Sequence, residues 1–91
     1  MNGRLAGKSI VVTGGESGIG RAIVLRCLRD GASATIAGIN QEDIDQTLAD
    51  AKAAGAGDRV QAVVTDVTKA DQVQNAIDSA VAKFGRLDAA I

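Results

Sequence analysis

The 91-residue chain contains no histidine, tyrosine, tryptophan or proline, and only one cysteine and one phenylalanine. Each absence closes off a class of chemistry. Without histidine there is no Ser-His-Asp triad, and metal sites lose their commonest ligand; one cysteine cannot build a zinc cage. No catalytic residue and no metal ligand is assigned. A single cysteine also excludes an internal disulfide and suits a reducing cytoplasm. The formal net charge is −1, and no cluster of lysine and arginine stands out, so nucleic-acid binding has no electrostatic basis. Charges and glycines interrupt every apolar stretch, which argues against a membrane span. Residues 1–8 lack the apolar core of a signal peptide.

What is present is an alternation. With 46% apolar residues the chain has a globular composition, sized for one small domain. After a polar lead-in over residues 1–7, the apolar run Ser9-Ile10-Val11-Val12 predicts a strand over 8–13, continuous enough to be covered on both faces. A helix follows over 18–30, with Ile19, Ala22, Ile23 and Cys27 as its apolar stripe and Gly31 as its cap. Cys27 on that stripe reads as a small buried hydrophobe, not a reactive thiol. The second strand is expected over 34–37. The second helix spans 41–54, with Asn40 as N-cap ahead of Asp43 and an inner face of Ile44, Leu48 and Ala51. A turn at 55–58 leads to a third strand over 60–65. The loop Asp66-Val67-Thr68 follows, with Thr68 and Asp71 as a second capping pair. A third helix over 69–84 has Val73, Ile77, Ala80, Val81 and Phe84 on its buried face, and Gly85 closes it. Residues 87–91 begin a fourth strand. No linker, repeat or low-complexity segment interrupts this β-α-β-α-β-α-β string. Such alternation predicts a parallel sheet between two helical layers.

The chain is organised around Thr13-Gly14-Gly15-Glu16-Ser17-Gly18-Ile19-Gly20, placed between the first strand and the first helix. A strand, a glycine-rich turn and a helix in that order form a phosphate cradle. Gly14 is expected to permit a tight turn. Gly18 leaves space for a pyrophosphate, and Gly20 lets the helix pack closely on the strand. Ser17 and Ile19 would offer backbone N–H groups, and Ser17 a hydroxyl, where the helix N-terminus already favours an anion. No Gly-Lys-Ser/Thr follows the glycines, so a P-loop phosphotransferase is disfavoured.

The spacing Thr-Gly-x-x-x-Gly-Ile-Gly resembles that of the short-chain dehydrogenase/reductase family. Asp66-Val67-Thr68 is similar to the family's adenine-ring motif after the third strand, and Phe84-Gly85-Arg86-Leu87-Asp88 to its approach to the fourth. The resemblance covers essentially the whole chain and implies a Rossmann-type doubly wound parallel α/β sheet, strand order 3-2-1-4. It also implies NAD or NADP as the cofactor and a homo-oligomeric parent. Thr13 would tie the loop to the following strand, or be an ordinary strand-end threonine. Asp66 would accept from the adenine amino group while the Val67 N–H donates to the ring; a plain helix-entry acid is the other reading.

The dinucleotide fold places an acid about 20 residues beyond the glycines to hold the adenosine ribose 2′-hydroxyl. Gly38 stands there, so that acid is missing. NADP-preferring relatives often carry arginine at the next position, where this chain has the neutral Ile39, or a basic residue where it has Ser17. Glu16 could sit near the ribose and repel a 2′-phosphate, which tips the reading toward NAD. A solvated loop acid is the better-supported reading of Glu16. The family's catalytic tyrosine, lysine and serine would lie beyond the fourth strand. These residues contain no tyrosine, so the chain reads as the amino-terminal cofactor-binding part of an alcohol/ketone oxidoreductase, residues 1–91, ending within strand four. A stand-alone nucleotide-binding module competes with that reading. A methyltransferase fits Thr13 and Asp66 less well. The isolated chain is expected to be inactive as a dehydrogenase and to associate through its strand-four edge.

Overall fold

A computed structural model describes residues 4–91; residues 1–3 of the expected lead-in lie outside the described residues. Strands β1 (Ser9–Thr13), β2 (Ser33–Gly38), β3 (Val60–Val64) and β4 (Ala89–Ala90) alternate with helices α1 (Gly18–Arg29), α2 (Gln41–Ala53) and α3 (Ala70–Phe84). All four strands are parallel, as the alternation predicts, and lie in the order β3-β2-β1-β4 that the resemblance implies. The expected turn before β3 contains a 3-10 turn, Gly57–Arg59.

The two-residue period of the strands builds two cores. Ile10, Val12, Ala34 and Ile36 point to one face and pack with Val24, Leu28, Ile44 and Ala51 of α1 and α2. Val11 and Ala37 point to the other and meet Ala76 and Ala80 of α3. The register pairs Thr13 with Ala37, and Gly38 with Val64. The ends of β1, β2 and β3 are thereby brought level, and the loops that leave them share one rim.

Two helical faces differ from the periodicity reading. In α1 the buried residues are Val24, Cys27 and Leu28, while Ile19 is 82% exposed and Ala22 is also exposed. The inward stripe starts at Gly20 and continues through Val24 to Cys27 and Leu28. Because Gly20 has no side chain, a hydrophobicity pattern cannot register it. In α3 the fully buried residues are Ala76 and Ala80; Val73, Ile77 and Phe84 are half-buried and Val81 is exposed. Small residues at the centre let the helix approach the sheet closely, and the larger ones flank the contact. Phe84 also lies under the Lys83 ammonium, 5.9 Å from the ring centroid.

The caps divide likewise. Asn40 accepts from the Asp43 N–H at 3.1 Å, as expected, and Gly85 ends α3 in the left-handed conformation. Thr68 does not cap α3: its hydroxyl and its N–H both turn back to Asp66 Oδ1, at 2.6 and 3.0 Å, and the N-cap is Lys69. A carboxylate two residues back is the stronger acceptor and closes a local Asx turn. At the far edge, Asp88 Oδ2 accepts from the Ser9 N–H at 2.8 Å and the Asp88 N–H donates to Ser9 O at 2.8 Å, which fixes β4 against β1.

Candidate functional site

Three loops converge at the carboxyl ends of the strands. The first leaves β1 at Thr13, whose hydroxyl and N–H both donate to Ile91 O, at 2.6 and 2.8 Å. The expected tie is therefore made to the residue after β4. Gly14 and Gly18 have φ of +67° and +56°, the left-handed region that favours glycine. A Cβ built on either meets nothing within 4 Å, so the space over the loop is open. Gly20 serves a different contact from the one expected. Its Cβ would run into the Gly14 carbonyl and the Gly15 Cα, so it allows the helix to close on its own loop rather than on the strand.

Ser17 is the N-cap residue of α1, in an extended conformation, and its hydroxyl makes no capping bond. The N–H groups of Ser17, Gly18, Ile19 and Gly20 have no backbone acceptor among the described residues. Four unpaired donors at a helix N-terminus, under open space, are suited to an anion.

Glu16 is not the solvated loop acid of the better-supported sequence reading. It is 5% exposed, and its carboxylate lies against Gly38, where any Cβ would overlap it. Oε2 accepts from the Ile39 N–H at 2.7 Å and the Asn40 N–H at 3.1 Å. Oε1 is buried and has no hydrogen-bond partner. Burial opposes ionisation, but the N–H groups of Glu16 itself, Asn40 and Ile39 outweigh it and hold the carboxyl below its ordinary range. No cation pairs with it among the described residues.

The backbone of Glu16 is clamped as well. Its carbonyl accepts from Thr47 Oγ1 at 2.8 Å and from Arg21 Nη2 and Nε at 2.9 and 3.2 Å. Arg21 Nε also donates to Thr47 Oγ1 at 2.9 Å, and Nη2 lies 3.7 Å from Asp43. Sequence reasoning missed Arg21 and Thr47. The available signal was a threonine on the inner face of α2, fully buried between Ile44 and Ala51, a place where a hydroxyl needs partners.

The second loop presents Gly38, buried, and Ile39, 65% exposed. The third is held by the Thr65 N–H donating to Gly38 O at 2.7 Å and the Asp66 N–H donating to Gln72 Oε1 at 2.7 Å. The Thr68 hydroxyl and amide hold the Asp66 carboxyl below its ordinary range. Asp66 is thus an ionised acceptor at neutral pH, beside an exposed Val67. Gly14, Glu16, Gly38, Ile39, Asp66 and Val67 share one open cleft of about 170 Å³; Thr13, Ser17, Gly18, Ile19 and Gly20 belong to the same glycine-rich loop and helix start but do not line it. A larger cavity of about 490 Å³ opens at the far ends of α1 and α2, around Leu28, Asp50 and Arg59, and contains none of the sequence-predicted site residues. Cys27 is buried, and burial and the nearby Asp30 raise its thiol pKa, as an inert core residue requires. Among the described residues no group of three or more potential ligands could hold a metal ion, and no helix is long and apolar enough to cross a membrane.

Comparison with known proteins agrees with this geometry. The family model for short chain dehydrogenases matches residues 8–91. The chain is 42% identical over 87 residues to 3β-hydroxysteroid dehydrogenase 2 of Eggerthella lenta, covering 92% of this chain and 32% of that protein. It is 43% identical over 88 residues to a hexahydroindene-carboxyl-CoA reductase of Mycobacterium tuberculosis, covering 96% and 33%. It therefore spans about a third of the length of these curated relatives. Among solved structures, a Caenorhabditis elegans short-chain dehydrogenase/reductase with cofactor superposes with a TM-score of 0.91 at 32% identity, over 96% of this chain and 32% of that one. A Brucella melitensis 3-ketoacyl-(acyl-carrier-protein) reductase complexed with NADH superposes with a TM-score of 0.83 at 29% identity, over 94% and 33%. The glycine-rich cradle, the strand order and these matches together place the chain in the short-chain dehydrogenase family, over the portion that carries its Rossmann-type cofactor fold.

Proposed function

We propose that the chain is the cofactor-binding portion of an NAD(P)-dependent oxidoreductase that interconverts an alcohol and a ketone. The observation that carries this reading is the cradle itself: unpaired N–H groups at the start of α1 beneath open space, in the loop whose Gly14 and Glu16 line a cleft together with an ionised Asp66. The residues fit a dinucleotide. The α1 N-terminus and the Ser17 hydroxyl would hold the pyrophosphate. Asp66 and the Val67 N–H would meet the adenine edge, which carries one donor and one acceptor. Gly14 and Gly18 keep the backbone accessible to the phosphates, and Gly20 keeps the loop closed on the helix. When bound, the nicotinamide supplies or accepts hydride. The residues described here would hold the dinucleotide by its pyrophosphate and adenine; the acid/base tyrosine that the family resemblance implies is not among these 91 residues, which contain no tyrosine.

Of the two dinucleotides we infer NAD. Gly38, Ile39 and Ser17 give a 2′-phosphate no cation to pair with. The homo-oligomer and the cytoplasmic setting implied for the parent are part of the same proposal, and sedimentation and cell fractionation of the full-length protein test them. The activity is tested by following nicotinamide absorbance with secondary alcohols and ketones. Turnover with NAD(H) is expected. Dinucleotide binding without turnover of any such compound would instead establish a non-catalytic nucleotide-binding module.

A further inference from the structure

We infer that the Glu16 carboxylate stands in for the acid missing at Gly38 and selects NAD against NADP. This rests on the dinucleotide reading of the cleft and goes beyond it, because it assigns the choice of cofactor to a residue of the glycine-rich loop. In the dinucleotide fold the selecting acid projects from the end of the second strand. Here the end of β2 is Gly38, and the place a Cβ would take there is filled by the Glu16 carboxyl group. A carboxylate is thus present at the end of β2, delivered from the other side of the cleft.

Its placement is specified at both ends of the residue. The Glu16 carbonyl takes three hydrogen bonds from Arg21 and Thr47, and Oε2 takes two from the amides of Ile39 and Asn40. The charge has no cationic partner among the described residues. Oε1 is the one atom of the group left without a donor, in a residue that is 5% exposed and lines the cleft. A buried carboxylate oxygen without a donor is costly. Because Oε1 is closed to solvent, the carboxylate acts on the cleft through its charge: a neutral ribose hydroxyl is tolerated there, whereas a phosphate brings further negative charge against an unneutralised one. The two residues form an exclusive pair, since any side chain at position 38 must displace the carboxyl group of residue 16.

The test is isothermal calorimetry of NAD and NADP on the full-length protein, with thermal melting of each variant. The wild type should prefer NAD. Glu16→Gln keeps the shape and an acceptor for Ile39 and Asn40 but removes the charge. It should lower the NAD-over-NADP preference about tenfold. Gly38→Asp alone should melt lower than wild type, because two side chains compete for one space. Glu16→Ala combined with Gly38→Asp should regain both the melting temperature and the preference for NAD, and it keeps the test open should Glu16→Gln fold poorly. An unchanged NAD/NADP ratio in Glu16→Gln, or a double variant without NAD preference, would overturn the assignment of Glu16. A wild type that binds neither dinucleotide would overturn the reading of the cleft on which it rests.

Discussion

Gly20→Ala probes how the loop is held. The added methyl group meets the Gly14 carbonyl and the Gly15 Cα, both backbone atoms that cannot rotate away. The loop must therefore move, and it is poorly able to. The Gly14 N–H is bonded to Ala37 O at 2.8 Å, and the Glu16 carbonyl is clamped by Arg21 and Thr47. Overpacking of this kind costs about 1–3 kcal/mol. Alanine recovers up to about 1 kcal/mol of helix propensity over glycine, less in a first turn. The net expectation is a loss of about 1–2 kcal/mol. In a domain of this size each kcal/mol lowers the melting temperature by about 4–8 °C; in a longer polypeptide the shift is smaller. The assay is thermal and urea unfolding beside a control, Gly57→Ala. There the added Cβ makes ordinary contacts of 3.5–3.6 Å with Lys52, and the change should stay within about 0.5 kcal/mol. A Gly20→Ala protein that melts at or above wild type would refute the close approach of loop and helix.

Thr47→Val should cost about 1–2 kcal/mol in urea unfolding, because a fully buried hydroxyl that donates to Glu16 O and accepts from Arg21 is lost. The Glu16 carboxyl is held below its ordinary value of about 4.5, so its contribution to stability is fully present above that pH and is lost as pH falls through the lower, folded-state value. Melting temperatures taken from pH 6 down to pH 3 should fall less steeply in Glu16→Gln than in wild type. Ile39→Arg should shift affinity toward NADP by giving a 2′-phosphate a partner on the cleft rim, which competitive binding measures. Residues 1–91 expressed alone should turn over no alcohol in a nicotinamide absorbance assay, since they contain no tyrosine.

The order of elements, the parallel sheet and the three loops were legible because each rests on local patterns: apolar runs, glycines at turns and a capping asparagine. Less legible were contacts that depend on a residue having no side chain. Gly20 begins the inward stripe of α1, yet reads as neutral in a hydrophobic pattern, so Ile19 was drawn inward instead. Ala76 joins the expected Ala80 in binding α3 to the sheet because both are small, while the eye goes to Val81. Glu16 shows the limit most clearly. Its sequence neighbours are glycines and a serine, which suggests a wet loop. The groups that bury it, Gly38, Ile39 and Asn40, lie more than 20 residues away and meet it only once β2 is paired with β1. Long-range pairing of that kind has no local signature.

Calorimetric titration of NADH into the full-length protein and its Gly18→Val variant tests the central claim most directly. Gly18 sits at φ +56° under open space at the start of α1, where a pyrophosphate would lie against the free N–H groups. A valine there puts a branched side chain into the cradle and strains the turn. The account predicts measurable binding to wild type and an affinity at least about tenfold weaker, about 1.4 kcal/mol, in a variant whose melting curve confirms that it is still folded. Equal affinity for NADH in the two proteins would contradict it.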